Sequence, residues 1–377
     1  MKTFDYVIVG AGFAGAATAY QLARRGITDI LLLEQESIPG FHSSGRNAAM
    51  LRQCVAEPEL TRLARQGAEF IRHLPSDWPE AVPFKQNGSL LLGSGAGWEK
   101  LQRDAEVGLS VGIEMELWTP PETKRRVSVL QQAEFDGAAW CGSDGIVDIH
   151  ALLSGYLKFA AAKGAQIRYN CALHSVKPVH VNVKGKVEGK FELATSRGVI
   201  SAKTLVNASG AWANVIAKLA GARQLPLRPC RRHLFISPPM DWVDPSWPFV
   251  WDVTHDFYFR PEGKGLLLCA CDQTELAPGD PPVDESVKEM LAEKIERFLP
   301  ALGDVSIAKG WAGIRTLTPD GRFVIGWDPQ IENFFWVAGL GGHGMTASAA
   351  VGELAAQLLI AGPGNRSAPF APERFAV

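Results

Sequence analysis

The chain has 377 residues, enough for two or three domains, and its 46% apolar content can fill a large core. A formal net charge of −2 gives no broad basic field, which argues against nucleic acid as a partner. The cysteines (Cys54, Cys141, Cys171, Cys230, Cys269 and Cys271) form no CxxC pair and no His/Cys metal spacing, so neither a metal nor a disulfide framework is expected. A strand begins by residue 4 with no leader-like segment before it, and no apolar run approaches the ~18–20 residues of a membrane span. The expectation is a cytoplasmic protein, at most attached to a membrane surface.

The first stretch organises the rest. An apolar strand, Phe4 to Val9, runs into Gly10-Ala-Gly12-Phe-Ala-Gly15, a helical pattern reaches Arg25, and a second strand, Ile30 to Leu33, ends in Glu34. Gly10 permits the tight turn, Gly12 lets a pyrophosphate approach bare backbone, and Gly15 lets the helix pack on the sheet. The helix N-terminus then holds the diphosphate. Glu34, 24 residues after Gly10, is placed to accept the hydroxyls of an adenosine ribose and would repel a 2′-phosphate. This is a dinucleotide site.

Next comes Gly40-Phe-His42-Ser43-Ser44-Gly45-Arg46-Asn47-Ala48-Ala49-Met50, rich in small residues and hydroxyls. Ser43 or Ser44 suits the cap of a helix starting near Gly45, which would point a second N-terminus at the cofactor. The spacing predicts helices over 58–74, 99–111, 119–130 and 149–163, and strands over 89–93, 166–169 and 173–177 with a hairpin over 181–195. Leu205-Val-Asn-Ala208-Ser-Gly210-Ala-Trp212 reads as a strand into a small-residue turn and helix. Strands are expected at 226–237, 257–260 and 266–271, and an amphipathic helix at 283–298. Trp242, Trp247 and Trp251 fall in a Pro-rich loop suited to a lid, a subunit contact or a membrane-surface contact. The last quarter reads as strands 310–315, 323–326 and 334–338. Gly339-Leu-Gly341-Gly342-His343-Gly344-Met345-Thr346 then opens a final helix. Bare N–H groups in such a run suit developing negative charge, as on a reduced flavin.

GAGFAG with Glu34, GFHSSGRNAA, VNASGAWA, GIRTLTPDG and WVAGLGGHGMTASAAVGELAA occur in the order of the FAD-dependent D-amino acid oxidase superfamily. The chain resembles most the bacterial D-amino acid and D-arginine dehydrogenase branch, with glycine oxidase and sarcosine oxidase as cousins. The resemblance covers almost the whole length. It implies an α/β fold (α+β overall): a Rossmann-like FAD-binding domain from residues 1–80, 145–220 and 305–377, and a mostly antiparallel substrate domain from 81–144 and 221–304. It further implies that Gly10, Gly12, Phe13, Ala14, Gly15, Glu34 and Gln35 hold the adenosine diphosphate half, with Leu173 at the adenine. Ser43, Ser44, Arg46, Asn47, Ala48, Ala49 and Met50 line pyrophosphate and flavin, with Ala208, Gly210 and Trp212 nearby. Gly313, Gly341, Gly342, His343, Gly344, Met345 and Thr346 hold the isoalloxazine.

Arg232, Tyr258 and Arg315 match family positions for the substrate carboxylate, with His343 as the remaining candidate catalytic group. The expected reaction is oxidation of an amino acid at its Cα–N bond by hydride transfer to flavin N5. It gives an imino acid and then a 2-oxo acid, with a quinone or O2 as acceptor. Two departures bear on the substrate. Met50 stands where the D-arginine enzyme has an active-site histidine, and Gly88 stands where it has an acid for the guanidinium. A neutral D-amino acid or an N-substituted amino acid is therefore expected. The alternatives are a 2-hydroxy acid or glycerol-phosphate dehydrogenase of the same fold, and the FAD subunit of an opine or hydroxyproline dehydrogenase with a separate partner.

Overall fold

The first strand, β1 (Thr3–Val9), sits inside a sheet because both its faces are apolar: Phe4, Val7 and Val9 pack on one side and Ile8 on the other. The computed structural model describes residues 2–183, 186–363 and 368–375. β1 pairs in parallel with β2 (Ile30–Leu33) and with strand Gly198–Asn207. β2 continues in parallel to Gln166–Arg168, and Gly198–Asn207 to Phe334–Ala338. An antiparallel hairpin, Leu173–Val183 with Lys186–Thr195, completes one side; residues 184–185 of the expected hairpin lie outside the described residues.

Such buried parallel strands read as continuous apolar runs, and helices must cover both faces. α1 (Phe13–Arg24) and helices Ile149–Ala162 and Ser348–Ala361 pack on one face, and Ala213–Ala220 on the other. A Cβ on Gly352 would lie 2.4 Å from the Ala17 carbonyl oxygen, so α1 and the last helix approach backbone to backbone.

Among the described residues the two large sheets have eight strands each, and all pairings of the second are antiparallel except Phe249–Asp252 with Ser89–Gly93. Helix Glu285–Phe298 buries Val287, Leu291 and Ile295 against one of its faces. Strand Lys309–Leu317 pairs with Arg228–Ile236 in this sheet, although the segment after it returns to the first. The fold class is the expected one: a Rossmann-like α/β layer beside a mostly antiparallel sheet.

Local expectations are corrected in three places. No helix starts near Gly45; residues 40–46 form turns and bends. Helix 119–130 is broken into Pro120–Arg126 and a 3-10 turn, Ser128–Leu130, with Val127 extended between them. The three tryptophans do not share a loop. Trp247 is core, Trp251 lies in strand Phe249–Asp252, and only Trp242 is exposed.

A tight contact ties the final glycine run to helix Pro58–Arg72. A Cβ on Gly67 would lie 1.9 Å from the Thr346 carbonyl oxygen. Gly67→Ala should therefore destabilise the protein by about 1–3 kcal/mol, the usual scale of overpacking, read as a lower urea midpoint. An unchanged midpoint would show that this packing yields freely.

Candidate functional site

The turn between β1 and α1 follows from its glycines. Gly10 has φ of +106° and its N–H donates to the Leu33 carbonyl at 2.8 Å, which locks the turn to β2. A Cβ on Gly15 would lie 1.9 Å from the Gly10 carbonyl oxygen, so any side chain there forces α1 away from the sheet. Glu34 is buried, and its carboxylate accepts from the N–H groups of Ala11 (2.9 Å) and Glu36 (3.0 Å). Burial raises its pKa, against the pull of those donors. Each carboxylate oxygen keeps a further lone pair for a hydroxyl.

The two serines have specific jobs, and neither caps a local helix. The Ser44 hydroxyl accepts from the Phe13 N–H at 3.0 Å, so the serine serves α1, 31 residues earlier. Ser43 donates to the Ile314 carbonyl and so ties this segment to the second sheet. The Asn47 carbonyl oxygen accepts from the Ala49 N–H at 2.7 Å and its amide donates to the Ser44 carbonyl at 2.7 Å, holding Ala49 at φ of +59°. Arg46 donates to the carbonyls of Phe41 (3.0 Å) and Ala312 (3.0 Å) and pairs with Asp280.

These elements enclose one long cavity. Gly10, Gly12, Phe13, Ala14, Glu34, Gln35 and Leu173 line one end. Ser43, Ser44, Arg46, Asn47, Ala48, Ala208, Gly210 and Trp212 line it further along. Met50, Arg232, Tyr258, Gly313, Arg315, Gly341, Gly342, Gly344 and Met345 also line it. Four expected residues do not: Gly15, Ala49, His343 and Thr346. Gly15 acts by packing. Thr346 is buried, and its hydroxyl accepts from the Arg52 N–H at 3.3 Å.

Strand alternation decides which arginine faces inward. Arg232 and Leu234 line the cavity, whereas Arg231 turns to the far side and pairs with Asp284 at 2.6 Å. There Asp272 and His233, both buried, are joined at 2.8 Å. Arg315 lies next to Cys230 on the neighbouring strand and is half-buried, not outside.

The electrostatics at this end are one-sided. Tyr258 is fully buried, and its hydroxyl has no hydrogen-bond partner among the described residues. Burial holds that phenol well above its usual pKa, so it is a neutral donor. The Arg232 Nε–H is also unpartnered, although its other nitrogens reach the Gln273 side chain (3.3 Å) and the Cys269 sulfur (4.0 Å). Burial opposes ionisation of the Cys269 thiol, but a hydrogen bond from Cys271 and the Arg232 charge outweigh it and pull its pKa down. For Arg315, burial followed by the Arg232 charge lowers the pKa, against the smaller opposing pull of Tyr258, Cys269 and Cys271.

Burial, then the charges of Arg52 and Arg315, pushes the His343 imidazole down to about 3, so it is neutral at pH 7. Between its ordinary 6.5 and about 3 the unfolded chain binds a proton that the folded chain does not, so stability falls as pH drops through that window. His343→Asn should flatten the decline of the melting temperature between pH 6.5 and pH 5; an unchanged slope would place the imidazole in solvent.

Sequence reasoning missed Arg52 and Trp251. Arg52 follows Met50 by two residues, and its guanidinium lies 4.6 Å from the Trp251 ring centre. The alternation of Met50, Leu51 and Arg52 carried the signal: Leu51 is fully buried in the first core while Met50 faces the cavity. The acid missing at Gly88 cannot simply be restored. Gly88 has φ of +77° and a Cβ there would lie 2.0 Å from the Trp140 ring.

The arrangement fits a flavin dinucleotide. Bare backbone at Gly10 and Gly12, with Glu34 beside them, suits the adenosine diphosphate. The same cavity continues without a break to the second glycine run, where the N–H groups of Gly342, Gly344 and Met345 carry no backbone partner among the described residues. Among the described residues no cluster could hold a metal ion, and no helix is long and apolar enough to cross a membrane.

Comparison with known proteins agrees. 4-Methylaminobutanoate oxidase (formaldehyde-forming) of Paenarthrobacter nicotinovorans is 27% identical over 384 residues, covering 98% of this chain and 45% of that protein. The chain thus spans less than half the length of that relative. Sarcosine oxidase subunit beta of Rhizobium meliloti (strain 1021) is 28% identical over 386 residues, covering 99% of this chain and 88% of the relative. The solved structure of L-proline dehydrogenase from P. horikoshii superposes with a TM-score of 0.86 at 24% identity, covering 99% of this chain and 98% of that one, a likeness of fold. A family model described as FAD dependent oxidoreductase matches residues 5–358, and the chain belongs to that family, the DAO family, with FAD as its cofactor.

Proposed function

We infer that this protein oxidises an N-substituted amino acid at its Cα–N bond, giving an imine that water converts to a 2-oxo acid and an amine. The observation that carries the reading is two buried donors without partners, the Arg232 Nε–H and the Tyr258 hydroxyl, in the cavity that the Arg315 guanidinium also lines. Buried donors take acceptors, and a substrate carboxylate matches an arginine fork bidentately. Held there, the carboxylate fixes the Cα–H toward the flavin end of the cavity. FAD, when bound, accepts that hydrogen as hydride.

Among the described residues the one carboxylate lining the cavity is Glu34, beside the Gly10–Gly12 turn, so no carboxylate is placed to act as a base on carbon. The surrounding guanidinium charges instead favour the neutral amine over the ammonium, which frees the nitrogen lone pair for oxidation. The relatives' names favour a secondary amine, one acting on a methylamino acid and one belonging to a sarcosine oxidase. The first is by name formaldehyde-forming, which places its oxidation at the N-methyl carbon, so flavin bleaching is read together with formaldehyde release.

The test is anaerobic mixing of the yellow protein with sarcosine, longer N-methyl amino acids, D- and L-amino acids and 2-hydroxy acids. Bleaching by the N-substituted compounds is expected. Bleaching by 2-hydroxy acids alone would replace the reading. Tyr258→Phe should raise KM about 2- to 10-fold, the scale of one neutral hydrogen bond, with little change in kcat; a larger fall in kcat would place the phenol at the reacting atoms.

A second reading concerns the working unit. One relative is by name a subunit, and this chain spans under half of another. A partner chain that co-purifies and raises turnover would support it.

A further inference from the structure

Behind the α-carboxylate clamp, next to the cavity lining and not part of it, lies a second cation, Arg52. Among the described residues no carboxylate hydrogen-bonds to Arg52, and Asp144 and Asp104 reach it only as nearby charges. The acids that feel its charge are otherwise engaged. Asp144 accepts from the Gln53 backbone (3.1 Å), the Gln53 side chain (2.9 Å) and the Ser89 hydroxyl (2.7 Å), and Asp104 pairs with Lys100 at 2.5 Å. The Trp251 ring under Arg52 is also unsatisfied: its indole N–H is buried with no partner. Trp251 lies beside Tyr258, with ring centres 5.2 Å apart, and Tyr258 lines the cavity. Arg52, Trp251 and Tyr258 therefore form a continuous row that reaches the cavity Arg315 lines, and each of the three offers a hydrogen-bond donor.

One carboxylate cannot satisfy that row. It offers about four lone pairs, and the Arg315 fork, the Arg232 Nε–H and the Tyr258 hydroxyl already claim them. We propose that the substrate is an amino acid with a second carboxylate, seated on the Arg52 guanidinium and the Trp251 indole N–H. This rests on the amino acid reading above and narrows it. The second acid reaches that position either from a side chain, as in an N-methylated aspartate or glutamate, or from the nitrogen, as in an N-carboxymethyl amino acid.

Calorimetric titration of the FAD-loaded protein with succinate, glutarate and butyrate tests this without turnover. The dicarboxylates should bind at least about tenfold more tightly than butyrate, the scale of one charge-assisted hydrogen-bonded contact. Arg52→Gln should bring that ratio close to one, Arg52→Lys should recover part of it, and Trp251→Phe, which keeps the ring and removes the N–H, should lower it severalfold. Flavin content and melting temperature check that each variant is folded, and the wild-type ratio stands even if a variant is not.

Anaerobic bleaching by N-methylglutamate and N-methylaspartate of both hands, against N-carboxymethyl amino acids, then identifies where the second acid sits. Equal affinity for butyrate and the dicarboxylates in the wild type would overturn the proposal, as would a ratio untouched by Arg52→Gln. Failure of the parent reading looks different: no amine would bleach the flavin, while the calorimetric preference would persist.

Discussion

Replacing Arg315 by methionine should lower kcat/KM for the amino acid substrate about 100-fold or more while leaving the protein yellow and folded. Truncating one partner of a buried, hydrogen-bonded charge pair costs about 2–5 kcal/mol, and each 1.4 kcal/mol is tenfold. The loss falls on both kinetic parameters. The carboxylate loses its bidentate anchor, and the Cα–H loses its fixed direction. Arg315→Lys keeps the charge without the planar fork and should recover only part of the activity.

Stability should move the other way. Burial and the Arg232 charge lower the Arg315 pKa and outweigh its favourable neighbours, so methionine removes a strain on the folded state. The melting temperature without substrate should hold or rise. A variant that loses flavin or melts early would show that Arg315 is instead structural.

The second large effect belongs to Gly15. A Cβ there would sit 1.9 Å from the Gly10 carbonyl oxygen, and backbone cannot step aside as a flexible side chain can. Gly15→Val should yield protein without visible flavin absorbance. Two losses combine: overpacking of about 1–3 kcal/mol, and the binding free energy that FAD contributes to the folded state. Gly12→Ala should be milder, since its Cβ would meet the Ser44 hydroxyl at 2.8 Å and that side chain can rotate. It would still disturb the Ser44 cap on the Phe13 N–H. Retention of full flavin by Gly15→Val would contradict the placement of the diphosphate at this turn.

The first layer was legible because its signals are local. A glycine turn, a helix period and an apolar strand follow one another within thirty-four residues, and the order of elements carries the fold. The inward face of strand Arg228–Ile236 was harder, since adjacent arginines compete for it. Asp284 and Asp272, more than forty residues away in sequence, provide the acids that draw Arg231 to the far face. Ser44 looks like a local cap in the sequence because its hydrogen bond with Phe13 spans 31 residues and leaves no local trace.

Arg52 escaped notice for a similar reason. Its meaning depends on Trp251, which arrives from a strand of the second sheet nearly two hundred residues later. Motif order reported the cofactor. The charge balance of the substrate end emerged only when the two sheets met.

The most direct test of the central claim is a crystal structure of the FAD-loaded protein with a non-oxidisable carboxylate such as glutarate. The account predicts flavin along the cavity between the Gly10–Gly15 turn and the Gly341–Thr346 run, with one carboxylate paired bidentately to Arg315 and within hydrogen-bond distance of Tyr258. A carboxylate bound elsewhere, with Arg315 still unpaired and the ring away from Tyr258, would contradict it.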